Sequence, residues 1–198
     1  MNILAIDTCT EVASVTLYSS GVRASRVLTN VEKSSGHILR LCDEVFTESG
    51  KQLNEVDLIA YSKGPGAFTG VRMCIGVVQG LSLSCSIPTI GFSTLELLGF
   101  RASKILKSEK IAVALDARMG EVYWAVYDHG ELNNMKICSP EDVDNVGDNF
   151  LGVGTGWSTH HDQLHSASNV KITDLSIYPE SSELVDLSIQ AIESGQNP

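Results

Sequence analysis

Three groups of residues in this chain have the types and spacing to do chemistry. The first is the run Lys63-Gly64-Pro65-Gly66-Ala67-Phe68-Thr69-Gly70-Val71-Arg72, a glycine-rich segment leading into an apolar stretch. Between a strand and a helix N-terminus, its free backbone N–H groups and the helix dipole would favour an anion such as phosphate. It matches neither G-x-x-x-x-G-K-S/T nor G-x-G-x-x-G, so the mechanics of those phosphate loops do not transfer, and structural glycines in a tight turn would read the same way. The second group is Asp7 and Asp116, each closing an apolar run. A carboxylate there could hold a metal through water or position a phosphate, and it could equally cap its own turn. Asp7, Gly64, Gly66 and Thr69 are therefore the candidates for ligand contact. Asp116 with Arg118 and Glu121 reads better as a turn whose charges pair locally. The third group is His160, His161 and His165. In a helix His161 and His165 would share a face at i, i+4, but two imidazoles with no H-E-x-x-H glutamate fall short of a metal centre, and the polar segment reads as a solvated loop or helix end. There is no G-x-S-x-G elbow and no local signature of a nucleophilic cysteine. The expectation is a chain without catalytic residues, metal or cofactor.

The elements that must position these residues show two related halves. ILAID (3–7), a polar turn and VASVTLY (12–18) read as a β-hairpin, and IAVALD (111–116), ARMGE and VYWAVY (122–127) read as another. A shift of 109 residues lays Leu4-Ala5-Ile6-Asp7 on Val113-Ala114-Leu115-Asp116 and Tyr18-x-x-Gly21 on Tyr127-x-x-Gly130. That spacing points to two copies of one α/β domain. Between the hairpins, 34–50 carries Ile38, Leu41, Cys42 and Val45 on one helical face, with Ser34 or Ser35 as N-cap and Gly50 past the end. A buried-type strand (56–62), the 63–70 loop, a helix over 71–85 ended by Pro88, a strand at 88–92 and a helix capped near Ser93 follow. The basic stretch 104–110 marks the domain boundary, giving domains 1–103 and 104–198. The second domain adds a strand near 149–154 and a final helix with Leu184, Leu187, Ser188 and Ala191 on one face.

The 71–85 helix carries two apolar stripes. Val71, Cys74, Ile75, Val78 and Leu81 form one; Met73, Gly76, Val77, Gly80 and Leu83 form another, with the glycines in G-x-x-x-G spacing. One stripe covers a sheet. The other lies under a neighbouring helix of the same chain or is a partner surface.

The 198 residues are 43% hydrophobic, a globular composition. The formal charge is −10, and it is uneven: residues 1–119 hold 12 basic against 11 acidic residues, residues 120–198 only 2 against 13. So acidic a second half argues against the chain gripping nucleic acid by itself. The five cysteines form neither a C-x-x-C pair nor a zinc pattern and read as reduced thiols. Met1 leads directly into ILAID, and no apolar run approaches the length of a membrane span, so a soluble cytoplasmic protein is expected.

The strings ILAIDTCTEVASVTLY, IAYSKGPGAFTGVRMCIGVVQGLSL, IGFSTLE and ALDARMGEVYWAVY closely resemble the TsaB (YeaZ) family, over residues 2–127 and more loosely from FLGVGTG to YPESSELVDLSIQA. The resemblance implies an actin-like/Hsp70-like (ASKHA) fold of two duplicated RNase H-like domains. It further implies a non-catalytic paralogue of TsaD, the subunit that threonylcarbamoylates the adenosine beside the anticodon of tRNAs reading codons that begin with A. TsaD proteins carry an H-x-x-x-H metal pair; here His37 is followed four residues later by Leu41. The implied partners are TsaD as heterodimer, a TsaE ATPase in the larger assembly, a second copy when TsaD is missing, and tRNA only through partners. The implied contact surface is Met73, Gly76, Val77, Gly80 and Leu83. Family members usually continue beyond the final helix into a tail, where this sequence stops at Gly195-Gln196-Asn197-Pro198. The competing expectation is a nucleotide-hydrolysing or peptidase enzyme of the same fold, using Asp7 and the Gly64–Gly70 loop.

Overall fold

The computed structural model describes residues 1–29 and 37–196. The serines considered as N-caps, Ser34 and Ser35, lie outside the described residues. Among the described residues ten strands and six α-helices divide into two compact units, residues 1–97 with 179–198, and residues 98–178.

In the first unit, β1 (Asn2–Asp7) pairs antiparallel with β2 (Val12–Ser19), which pairs with β3 (Val22–Thr29). Parallel β4 (Leu58–Ser62) and β5 (Thr89–Phe92) complete a five-stranded sheet of order β3-β2-β1-β4-β5. The ILAID strand is apolar at nearly every position because both faces are covered. On one face α1 (Ile38–Ser49) sets Ile38, Leu41, Cys42 and Val45 against Leu4, Ile6, Val15, Leu17 and Ile59, and α2 (Phe68–Cys85) adds Cys74 and Val78. Gly50 closes α1 in the left-handed region at φ +66°. On the other face α6 (Ser181–Glu193) packs on β1, β2 and β4. The Ser181 N–H donates to Ser14 Oγ at 2.8 Å, and the Ser181 and Thr16 hydroxyls lie 2.8 Å apart.

This placement corrects the expected domain limits. The chain returns at 179, so the final helix completes the first unit rather than the second. Its Leu184, Leu187, Ser188 and Ala191 stripe is buried as the spacing predicts, but against the first sheet. The division near 97 falls inside α3 (Thr94–Leu106) rather than at the basic stretch; Ser93 Oγ accepts the Leu95 N–H at its start.

The second unit repeats the plan. Strands β6 (Lys110–Arg118), β7 (Glu121–Asp128), β8 (Glu131–Cys138), β9 (Leu151–Val153) and β10 (Ile172–Asp174) form a sheet of order β10-β9-β6-β7-β8. Read from its other edge this is the order of the first sheet, as the 109-residue offset predicts. The third strand of each meander, β3 and β8, and the edge strand β10 were not legible as strands, since none carries a continuous buried run. Trp124 and Trp157 anchor this core, Trp157 donating its indole N–H to the Ala112 carbonyl at 3.2 Å. The short α4 (Gly156–Thr159) leads into α5 (His161–Ser168), so of the two expectations for the histidine segment, solvated loop or helix end, His160 and His161 take the second and His165 continues the helix.

Candidate functional site

Helix α2 begins at Phe68, three residues before its predicted start, which shortens the preceding loop. That loop is held by the chain itself. The Ala67 N–H donates to the Cys9 carbonyl at 2.8 Å, the Thr94 N–H to Gly64 at 2.9 Å, and the Thr8 hydroxyl to the Gly70 carbonyl at 2.7 Å. A Cβ on Gly66 would stand 2.0 Å from the Cys9 carbonyl oxygen, and one on Gly70 2.0 Å from that of Thr8. Both glycines are present because the backbone of the β1–β2 turn occupies the space a side chain would need. Gly64 sits at φ +92°, while Thr69 is exposed at the first turn of α2.

Asp7 ends β1 fully buried. Its Oδ1 accepts from the Ser62 hydroxyl and from the Cys9 N–H at 3.1 Å, while Oδ2 has no hydrogen-bond partner among the described residues. Burial pushes the carboxyl up to about 6, against the opposing pull of the Ser62 and Cys9 hydrogen bonds. The Cys9 thiol contacts Ser62 and touches Cys74, whose own thiol is held well above its ordinary range by that contact and by burial.

In the second unit Asp116 takes the position equivalent by the 109-residue offset, two residues before the end of β6, where the pairing with β7 shifts register. Its Oδ1 accepts the Arg118 N–H at 2.9 Å, and the Arg118 guanidinium lies 3.5 Å from Oδ2, the locally paired turn expected from D-A-R. Glu121 faces Arg118 in the strand register but forms no ion pair among the described residues. Sequence spacing did not bring His160 here, yet its Nε2 lies 3.8 Å from Asp116 Oδ1. His37 is the N-cap of α1, and Leu41 belongs to the core.

Helix α2 is apolar and largely exposed. Of its 18 residues only Gly70, Cys74 and Val78 are buried, although its mean hydropathy is 1.3. Val71, Ile75 and Leu81 of the inner stripe are half-buried. On the outer stripe Met73 and Val77 are half-buried, Gly76 and Gly80 are exposed, and Leu83 is 82% exposed. Nothing lies within 4 Å of a Cβ built at Gly76 or Gly80, so no described element of the chain is seated on those two positions, while Met73 and Val77 lean on the core. At the N-terminal end Phe68 is 74% exposed, with the Arg72 guanidinium 3.3 Å over its ring centroid.

Comparison with known proteins places this arrangement. Residues 28–192 match the family described as TsaD: tRNA N6-adenosine threonylcarbamoyltransferase. The tRNA threonylcarbamoyladenosine biosynthesis protein TsaB of Escherichia coli strain K12 is 35% identical over 99% of this chain and 89% of its own length. The chain belongs to the TsaB family. Its counterpart in Haemophilus influenzae is 34% identical over 81% of this chain and 74% of its own length. The solved structure of YeaZ from Pseudomonas aeruginosa superposes with a TM-score of 0.88 at 35% identity, covering 98% of this chain and 93% of that one. The two like-ordered sheets are therefore the duplicated domains of the ASKHA fold, the fold this family shares with TsaD-type proteins.

Proposed function

We propose that this chain is a non-catalytic, cytoplasmic subunit of the machinery that makes threonylcarbamoyladenosine next to the anticodon in tRNAs reading ANN codons, and that it acts by pairing through α2 with a TsaD-type transferase. Family membership supplies the pathway. The observation that carries the pairing is the outer stripe of α2, Met73, Gly76, Val77, Gly80 and Leu83, of which Gly76, Gly80 and Leu83 are exposed while Met73 and Val77 are half-buried against the core. Three glycines and the β-branched Val71, Ile75, Val77 and Val78 give this helix low intrinsic propensity, so it depends on packing. Its inner side buries only three residues. A partner helix laid along Gly76 and Gly80 could approach closely and supply the missing burial. A TsaE-type ATPase would join the assembly, a second copy could occupy the face when the transferase is absent, and tRNA would be held mainly by partners, in keeping with the acidic second half.

The enzyme reading requires Asp7 and the Gly64–Gly70 loop to face a ligand. Asp7 is fully buried, and the space at Gly66 and Gly70 is taken by Thr8 and Cys9.

The test is co-purification with the TsaD-type protein of the same organism, followed by size exclusion and tRNA modification assays. Gly80→Asp introduces a charge where nothing is packed, leaving the fold intact. A heterodimer formed by the unaltered chain and lost in Gly80→Asp, together with modification, is expected. Modification that persists with the stripe charged would overturn the proposal.

A further inference from the structure

Helix α5 presents a pair of imidazoles whose inner nitrogens are both already committed. His165 Nδ1 lies 2.5 Å from the Val170 carbonyl oxygen; a carbonyl only accepts, so Nδ1 is the donor, and in the neutral ring the lone pair then sits on Nε2. His161 Nδ1 lies 3.1 Å from the Asp162 carboxylate, which in the same way draws the proton to Nδ1. Metal-ligating histidines are set up in this manner, one ring N–H given to a carbonyl or carboxylate and the other nitrogen turned to the ion. His165 Nε2 is buried without a hydrogen-bond partner among the described residues, and the exposed His161 makes its polar contact with Asp162 through Nδ1, not Nε2. The two residues are i, i+4 on one helix, and their ring centroids are 4.2 Å apart.

We propose that His161 and His165 form a bidentate site for a late first-row divalent transition ion, Cu²⁺, Ni²⁺ or Zn²⁺. Imidazole suits all three, with Cu²⁺ held most tightly. Metal–nitrogen bonds of about 2.0–2.1 Å place the two nitrogens roughly 3 Å apart, within reach of rings this close after small χ2 adjustments. Water fills the remaining positions, since the described residues offer no cluster of three His, Cys, Asp or Glu ligands. His160 is not a member: its Nε2 faces Asp116. The second unit, residues 98–178, holds 11 acidic against 7 basic residues, a modest excess that favours an approaching cation.

The neighbouring Trp157 makes the site readable, because its ring centroid is 5.3 Å from that of His165 and a copper ion there quenches its fluorescence. The experiment titrates Cu²⁺ alone into the full chain carrying Cys85→Ser, which removes the exposed thiol, and into the same chain with His161→Ala or His129→Ala. His161 is exposed, so its removal leaves the fold intact; His129 lies in the β7–β8 turn beside Glu109 and Asp128 and serves as the control. Saturable quenching with one equivalent, competed by Ni²⁺, weakened about tenfold or more by His161→Ala and unchanged by His129→Ala, is the expected result. Quenching that never saturates, that survives His161→Ala, or that follows His129 instead overturns the proposal.

Discussion

The carbonyl oxygen of Cys9 stands 2.0 Å from where the Cβ of any residue replacing Gly66 would begin. The partner in this contact is backbone, which cannot swing aside as a side chain tip would, and the Ala67 N–H to Cys9 bond fixes it from the next residue. Gly66→Ala and Gly70→Ala are therefore expected to cost about 2–3 kcal/mol or more each, seen as a lower midpoint in denaturant unfolding. Unchanged midpoints would mean that the turn and the loop are not packed in this way.

The two glycines further along the chain, in the middle of α2, should behave in the opposite sense. Gly76→Ala and Gly80→Ala meet open space and gain helix propensity, about 1 kcal/mol at each site. If the stripe receives another helix, the added methyls hold that helix away. Higher thermal stability of the isolated chain with weaker pairing to the transferase is the expected combination, read by calorimetry and by a binding titration.

Asp7 should leave a mark on the pH dependence of stability. Its carboxyl titrates near 6 when folded, against an ordinary value of about 3.8. The folded state therefore binds the extra proton, and the cost of ionising Asp7 builds between about pH 4 and 6 and is fully present above. At 1.36 kcal/mol per unit the effect is of the order of 3 kcal/mol. Asp7→Asn keeps an acceptor for Ser62 and Cys9 and removes the charge, so it should flatten that part of the profile and stabilise the chain at pH 8. A variant with the same slope as the parent would assign the slope to another group.

The thiols should separate by burial. Cys9, Cys42 and Cys74 are buried, and burial pushes Cys42 up to about 12. Because the thiolate is the nucleophile, alkylation at pH 8 should modify Cys85 quickly and Cys138, half-buried and itself raised by burial, slowly. Peptide mapping by mass spectrometry should find the other three protected until denaturant is added.

Removal of residues 179–198 should unfold the first unit rather than trim the second. Leu184, Val185 and Leu187 are buried on the first sheet, at about 1.5–3 kcal/mol each, a large share of an ordinary domain's 5–15 kcal/mol. A chain ending at Tyr178 is expected to lose the circular dichroism signal of a folded first unit. A cooperative native transition in that chain would show that α6 is dispensable.

Local chemistry determined a good deal by itself. The period-two and continuous apolar runs marked β1, β2, β4, β6 and β7, the 3.6-residue stripe marked α1 and α6, and the matching strand-Asp-turn-strand strings marked a duplication, because each depends on neighbours a few residues away. The second apolar stripe of α2 was legible for the same reason. What only the tertiary structure decided are the meetings of distant segments. Ser62 reaches Asp7 from 55 residues away, Thr155 Oγ1 accepts the Asp116 N–H from 39, and Ser181 returns to Ser14 from 167. Such contacts follow from how strands are ordered in a sheet and which face each helix covers. No local periodicity carries that information, so the final helix read as part of the second domain, and the loop around Gly66 read equally as a phosphate cradle or as a tight turn with structural glycines. It took the folded sheet to show that the first belongs to β1, β2 and β4, and that the space in the second is filled by the chain's own turn.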